Sequence, residues 1–139
     1  LIAFLLTKQF LVQGGSTSVG LFAVQLAKVV GYKVIATCSP RSDDLVKSFG
    51  ADVTVDYHDV EAAISKIKEV SGGGVVGGLE CVGTDDNYRL SINSFKPEGG
   101  LLTTLLIIPD EVHNIRKEVK VDRILMYTIG GYVSMHTFY

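Results

Sequence analysis

The run Val12-Gln13-Gly14-Gly15-Ser16-Thr17-Ser18-Val19-Gly20 constrains this chain more than any other segment. It follows the short apolar stretch Phe10-Leu11-Val12 and precedes a tract in which Leu21, Val24, Leu26 and Val29 recur at helical spacing. An apolar run stopped by glycines is how a buried parallel strand ends at a tight turn. Gly31 then supplies a stop for a helix over residues 19–30. A helix that starts just behind a glycine turn aims unsatisfied N–H groups and a partial positive charge at whatever lies in front of it, so the segment is a candidate seat for a phosphate-bearing anion.

The same alternation continues along the chain. Residues 33–38, rich in β-branched side chains and bounded by Gly31 and Pro40, read as a second strand. Ser42, Asp43 and Asp44 place a cap and negative charge at the start of a helix that Gly50 ends. A third strand follows at residues 53–55, and residues 60–70, where Ile64, Ile67 and Val70 share a face, predict a third helix before the Gly72-Gly73-Gly74 break. Residues 75–82 predict a glycine-weakened fourth strand, and Thr84 with Asp85 and Asp86 caps another helix. After the turn at residues 96–100, residues 101–108 form an apolar fifth strand stopped by Pro109, and Val119 and Val121 begin a last one. Residues 127–139 fit an edge strand or a surface element. The fold class is therefore α/β, a Rossmann doubly wound parallel sheet with ligands at the carboxyl ends of its strands.

At 139 residues the chain supports one core and not two, so residues 1–139 are read as a single dinucleotide-binding domain. The opening on Leu1, inside an apolar stretch, reads as a fragment. That stretch is interrupted by Lys8, is too short to cross a bilayer and lacks the features of a signal peptide. A formal charge of -2 with dispersed basic residues gives no electrostatic case for nucleic acid or an acidic membrane. Cys38 and Cys81 lie far apart, without zinc-site spacing, which favours reduced thiols in a cytoplasmic protein and no metal. His58, His113 and His136 are scattered and lack partner spacing, so no catalytic residue is assigned.

In the G-x-G-x-x-G spacing the three small positions fall at Gly15, Thr17 and Gly20. The first allows the turn, the second lets a phosphate close, and the third lets helix pack on strand. Ser16, Thr17 and Ser18 add hydroxyl donors. The tip of the second strand reads Cys38-Ser39-Pro40-Arg41-Ser42 and holds no carboxylate. A carboxylate there accepts hydrogen bonds from the adenosine ribose of NAD and repels the 2′-phosphate of NADPH. Arg41 can pair with such a phosphate and Ser39 and Ser42 can donate to it, so the tip predicts NADP(H) over NAD(H); the alternative is that Arg41 is a solvated surface cation and the two serines cap a helix. Tyr57 either approaches the same adenosine end or is ordinary strand-end packing.

The loop, with Gln25-Leu26-Ala27-Lys28 and Gly50-Ala51, resembles the cofactor domain of medium-chain dehydrogenases/reductases, particularly the quinone and enoyl reductase branch. Ile35-Ala36-Thr37-Cys38-Ser39-Pro40-Arg41, with Asp44-Leu45-Val46-Lys47-Ser48 and Asp56-Tyr57, is still more similar to the trans-acting enoyl reductases that serve fungal polyketide synthases. The resemblance is strongest over residues 10–57 and weaker through Glu80-Cys81 and Gly99-Gly100. It implies NADPH contacts at Ser16, Thr17, Ser18 and Val19, at Ser39, Pro40, Arg41 and Ser42, and at Tyr57, with Gly83, Leu105 and Leu106 toward the nicotinamide half. It further implies a zinc-independent hydride transfer to an activated double bond, a small-molecule or acyl-carrier-bound substrate and a polyketide synthase partner. A GroES-like domain would precede Leu1, and copies would pair through the sheet edge near residues 119–133. The competing reading is a non-catalytic nucleotide-binding or interaction module that lacks the substrate domain.

Overall fold

The computed structural model describes residues 8–124. The apolar opening, the expected last element at residues 127–139 and His136 lie outside the described residues.

Strand β1 (Gln9–Gln13) leads through the glycine turn into helix α1 (Ser18–Val30), which Gly31 closes in a left-handed conformation at φ 106°. Strand β2 (Lys33–Thr37), a 3-10 turn (Pro40–Ser42), helix α2 (Asp43–Ser48) and strand β3 (Val53–Val55) complete the first half. Helix α3 (Val60–Ser71) crosses to strand β4 (Gly77–Glu80), followed by helix α4 (Asp85–Asn93), strand β5 (Gly100–Thr104), a 3-10 turn (Asp110–Asn114) and strand β6 (Val119–Arg123). All pairings are parallel, in the order β3-β2-β1-β4-β5-β6. The order reverses between β1 and β4. At that switch point the loops after the two strands part in opposite directions and leave a crevice at their carboxyl ends.

Two apolar clusters hold the layers together. On one face Val12, Ala36, Val24, Ala27 and Val46 pack α1 and α2 on the sheet. On the other, Leu11, Ile35, Leu102, Ile64, Ile67 and Tyr88 do the same for α3 and α4.

The spacing misplaces the inner face of α1. Gly20, Val24 and Ala27 are its buried residues, whereas Leu26 and Val29 are 64% and 84% exposed. Successive helical residues turn by about 100°, so Leu26 lies roughly opposite Val24 and the face carrying the small residues meets the sheet. Two strands are also shorter than expected. The fifth ends at Thr104, because the Leu106 N–H turns back to the Thr104 hydroxyl at 3.1 Å instead of continuing the ladder. The fourth ends at Glu80, whose carboxylate takes the Val82 N–H at 2.8 Å. Cys38 falls just beyond the second strand, and Ser42 makes no side-chain cap to α2; its hydroxyl lies 3.4 Å from that of Ser39.

Candidate functional site

The phosphate loop is built from the end of β2 as much as from its own glycines. Thr37 accepts two loop N–H groups, that of Gly14 on its hydroxyl at 2.9 Å and that of Gly15 on its carbonyl at 2.7 Å. The residue that takes the left-handed turn is Gly14, at φ 83°, and not Gly15 as the motif spacing suggests. Gly15 serves close packing instead, since a Cβ there would stand 2.8 Å from the Ala36 methyl. Gly20 is closer still: its Cβ would lie 2.1 Å from the Gly14 carbonyl oxygen. Thr17 caps α1, its hydroxyl accepting the Gly20 N–H at 3.0 Å while donating to the Gly14 carbonyl at 2.8 Å. A side chain at the middle motif position is thereby folded into the turn.

The helix start leaves the N–H groups of Ser18 and Val19, both exposed residues, without intrahelical acceptors. Half-buried Ser16 lies beside them. The first turn of α1 contains no acidic residue, so its partial positive charge is uncompensated. These open donors, and a cradle where added methyl groups at Gly14, Gly15 or Gly20 would strike their neighbours, fit a pyrophosphate.

At the tip of β2, Ser39 is half-buried and Pro40 and Arg41 are exposed. Arg41 makes no ion pair with any described residue. The first carboxylate beyond it, Asp43, is engaged with the Lys47 ammonium at 2.8 Å and with the Thr54 hydroxyl. Those contacts, Lys47 foremost, hold the Asp43 carboxyl below its ordinary range. Asp56 is likewise engaged, by the ring and backbone N–H of His58, with its carboxyl also held low. Both aspartates line a cavity of about 220 Å³ between the tips of β2 and β3, shared with Ser39 and Pro40. Tyr57 is half-buried against the opposite-face core and stacks on the His58 ring with centroids 4.5 Å apart.

Across the switch point, Gly83 and Leu106 come together, because a Cβ on Gly83 would meet the Leu106 side chain at 2.7 Å. Leu105 is 41% exposed beside them. Below this rim lies Glu80, fully buried. One carboxylate oxygen accepts the Val82 and Gly83 N–H groups at 2.8 and 3.0 Å, and the other accepts the Ser91 hydroxyl at 3.0 Å. Burial raises its pKa, and those three hydrogen bonds only partly oppose the rise. The Cys81 thiol, half-buried at the same strand end, is pushed up to about 12, chiefly by burial and then by the Glu80 charge. Cys38 is buried and also raised, with burial again the first cause.

Sequence reasoning named the two rims but not the polar residues between them. Gln13, Thr37 and Glu80 are buried at strand ends, and Asn87 is buried near the start of α4. For Gln13, Thr37 and Glu80 the signal was a polar residue closing a strand; Asn87, inside α4, had none. Among the described residues no group of three or more His, Cys, Asp or Glu side chains is placed to hold a metal, and no helix is long and apolar enough to cross a membrane.

A parallel sheet in this order, with a glycine loop opening a helix at its switch point, defines the Rossmann class. Residues 18–131 match the family model described as zinc-binding dehydrogenase, and the chain belongs to that family. It is 41% identical over 121 residues to the trans-enoyl reductase TwmE of Talaromyces wortmannii, covering 87% of this chain and 33% of that one. A zinc-type alcohol dehydrogenase-like protein of Schizosaccharomyces pombe is 40% identical over 124 residues, covering 88% and 34%. Among solved structures, a mycobacterial protein complexed with NADPH superposes with a TM-score of 0.67 at 26% identity, over 85% of this chain and 38% of the other. The chain spans about a third of the length of the curated relatives it matches.

Proposed function

We propose that this chain is the cofactor-binding part of an NADPH-dependent reductase of the enoyl or quinone type. The observation that carries the reading is the pairing of open Ser18 and Val19 N–H groups with an uncommitted Arg41 at the neighbouring strand tip. The pyrophosphate is received between residues 16 and 19, and the 2′-phosphate by Arg41 with the Ser39 and Ser42 hydroxyls, which are free of capping duty. The nearest carboxylate, Asp43, is occupied by Lys47 and Thr54 and is not free to accept from a ribose. Gly83, Leu105 and Leu106 form the apolar rim for the nicotinamide half.

When bound, NADPH supplies the hydride for reduction of an activated double bond, such as that of an enoyl thioester. This chain's residues bind, orient and set the charge around it. The likeness to trans-enoyl reductases supports an acyl-carrier-bound or other small-molecule substrate and a polyketide synthase as partner. A GroES-like domain, by the same likeness, would supply much of the substrate pocket. Isothermal titration of the 139-residue chain tests the reading. NADPH is expected to bind more tightly than NADH, and equal or absent binding removes the assignment. Binding without turnover of an enoyl or quinone acceptor by this chain would favour a nucleotide-binding module.

A further inference from the structure

The last residues of four adjacent strands form one buried polar row. Gln13 pairs in register with Glu80, and Glu80 with Thr104, while Thr37 continues the β1–β2 register beyond Val12 and Ala36. All four are at most 1% exposed. In-register residues of a parallel sheet project from the same face, and here that face carries α4. The helix sets a side chain on three strands of the row: Asn87 on Gln13 at 2.8 Å, Ser91 on Glu80 at 3.0 Å and Tyr88 on Thr104 at 3.2 Å.

The hydrogen bonds run in one direction. The Gly14 N–H donates to the Thr37 hydroxyl, that hydroxyl donates to Gln13 Oε1 at 2.7 Å, and Gln13 Nε2 donates to Asn87 Oδ1. The Thr37 hydroxyl and the Gln13 amide each use both donor and acceptor, so a shift at one end misaligns the next bond. A separate branch leads from Ser91 through Glu80 to the Val82 and Gly83 N–H groups. Both sides of the switch-point crevice are thus fastened to one helix, the phosphate loop through Asn87 and the Gly83 turn through Ser91.

We propose that this polar row is a spacer that fixes the distance between the phosphate loop and the Gly83 turn, with Thr37, Gln13 and Asn87 as positioning residues for a ligand that must reach both. The proposal rests on the dinucleotide reading above. A row that served only to stabilise the fold would act on every ligand alike. A spacer acts on ligands that bridge the crevice and spares those that occupy one side.

Affinities for NADPH and for 2′,5′-ADP, which reaches only the loop and the β2 tip, separate the two roles. Asn87→Ala, which removes one buried hydrogen bond, and Gln13→Met, which removes two, are each expected to weaken NADPH about tenfold or more. Each should weaken 2′,5′-ADP by less than about twofold, and the double variant should be no worse than either single one. Equal losses for both ligands, no loss, or losses that multiply in the double variant overturn the spacer. If a variant does not fold, hydrogen exchange on the unsubstituted chain decides: 2′,5′-ADP should slow exchange of the Val82 and Gly83 amides, which it does not touch, and unchanged exchange there counts against the proposal. Failure of the unsubstituted chain to bind either ligand removes the dinucleotide reading itself.

Discussion

Replacing Gly20 by alanine is a severe test of how the loop is built. In an ordinary helix the change favours folding by up to about 1 kcal/mol, because alanine is the better helix former. Here the new methyl carbon meets the Gly14 carbonyl oxygen at 2.1 Å, its carbonyl carbon at 2.9 Å and the Gly15 Cα at 2.9 Å. All three are backbone, so no rotamer change relieves the contact, and α1 must move away from the turn by more than about 1 Å to reach ordinary van der Waals distance. Overpacking of this kind costs about 3 kcal/mol. The net loss is about 2 kcal/mol, or about 6–10 °C in Tm for a domain of this size. The same displacement breaks the Thr17 cap and re-aims the Ser18 and Val19 donors, so NADPH affinity should fall about tenfold or more. Gly72→Ala serves as a control: nothing lies within 4 Å of that Cβ, and its left-handed φ of 68° limits the cost to about 1–2 kcal/mol with ligand binding unchanged. Calorimetric melting and titration read both quantities. A Gly20→Ala chain as stable as the parent, with unchanged affinity, would refute the steric argument.

Three further outcomes follow from the site. If Arg41 receives the 2′-phosphate as proposed, Arg41→Ala should lower NADPH affinity about tenfold and leave NADH untouched; parallel losses in titrations with both cofactors would show that Arg41 plays no selective part. Because the folded pKa of Glu80 is raised, the native state holds its proton more tightly than the unfolded chain, so stability should fall as pH rises from the ordinary carboxylate value through the raised one. Glu80→Gln keeps an acceptor for Val82 and Gly83 and should flatten that part of a Tm–pH curve, whereas an unaltered slope would point to another group. With Cys81 pushed up to about 12 and Cys38 buried, neither thiol should be alkylated by iodoacetamide at neutral pH until the chain is denatured, as counted by intact-mass spectrometry.

What was legible in the sequence follows the strength of local signals. The strand-to-helix order was readable because Gly31, Gly50, the Gly72-Gly73-Gly74 run and Pro109 punctuate it, and because Thr84 is followed by two aspartates that suit a helix start. The inner face of α1 was not, because Leu26 and Val29 outweigh Gly20, Val24 and Ala27 in apolar character while closeness to the sheet favours the smaller set. Motif spacing likewise put the turn at Gly15, since adjacent glycines look alike until one of them carries φ 83°. Leu105 and Leu106 read as strand because a hydroxyl two residues earlier, turning the chain by accepting the Leu106 N–H, leaves no trace in apolar periodicity.

The residues that set the crevice's dimensions were hidden for a related reason. Gln13, Thr37, Glu80 and Asn87 are separated by as many as 74 positions, and only the strand register makes them neighbours. Each is costly to bury alone and inexpensive in company, since no fully buried side-chain nitrogen or oxygen among the described residues lacks a partner. A sequence window sees the cost and not the company. The rims of the crevice, made of glycines and an arginine with local signatures, announce a ligand, whereas the floor that holds those rims apart is a tertiary property. It follows that loop substitutions should tune which dinucleotide is held, while substitutions in the polar row should tune how well its two halves are held at once.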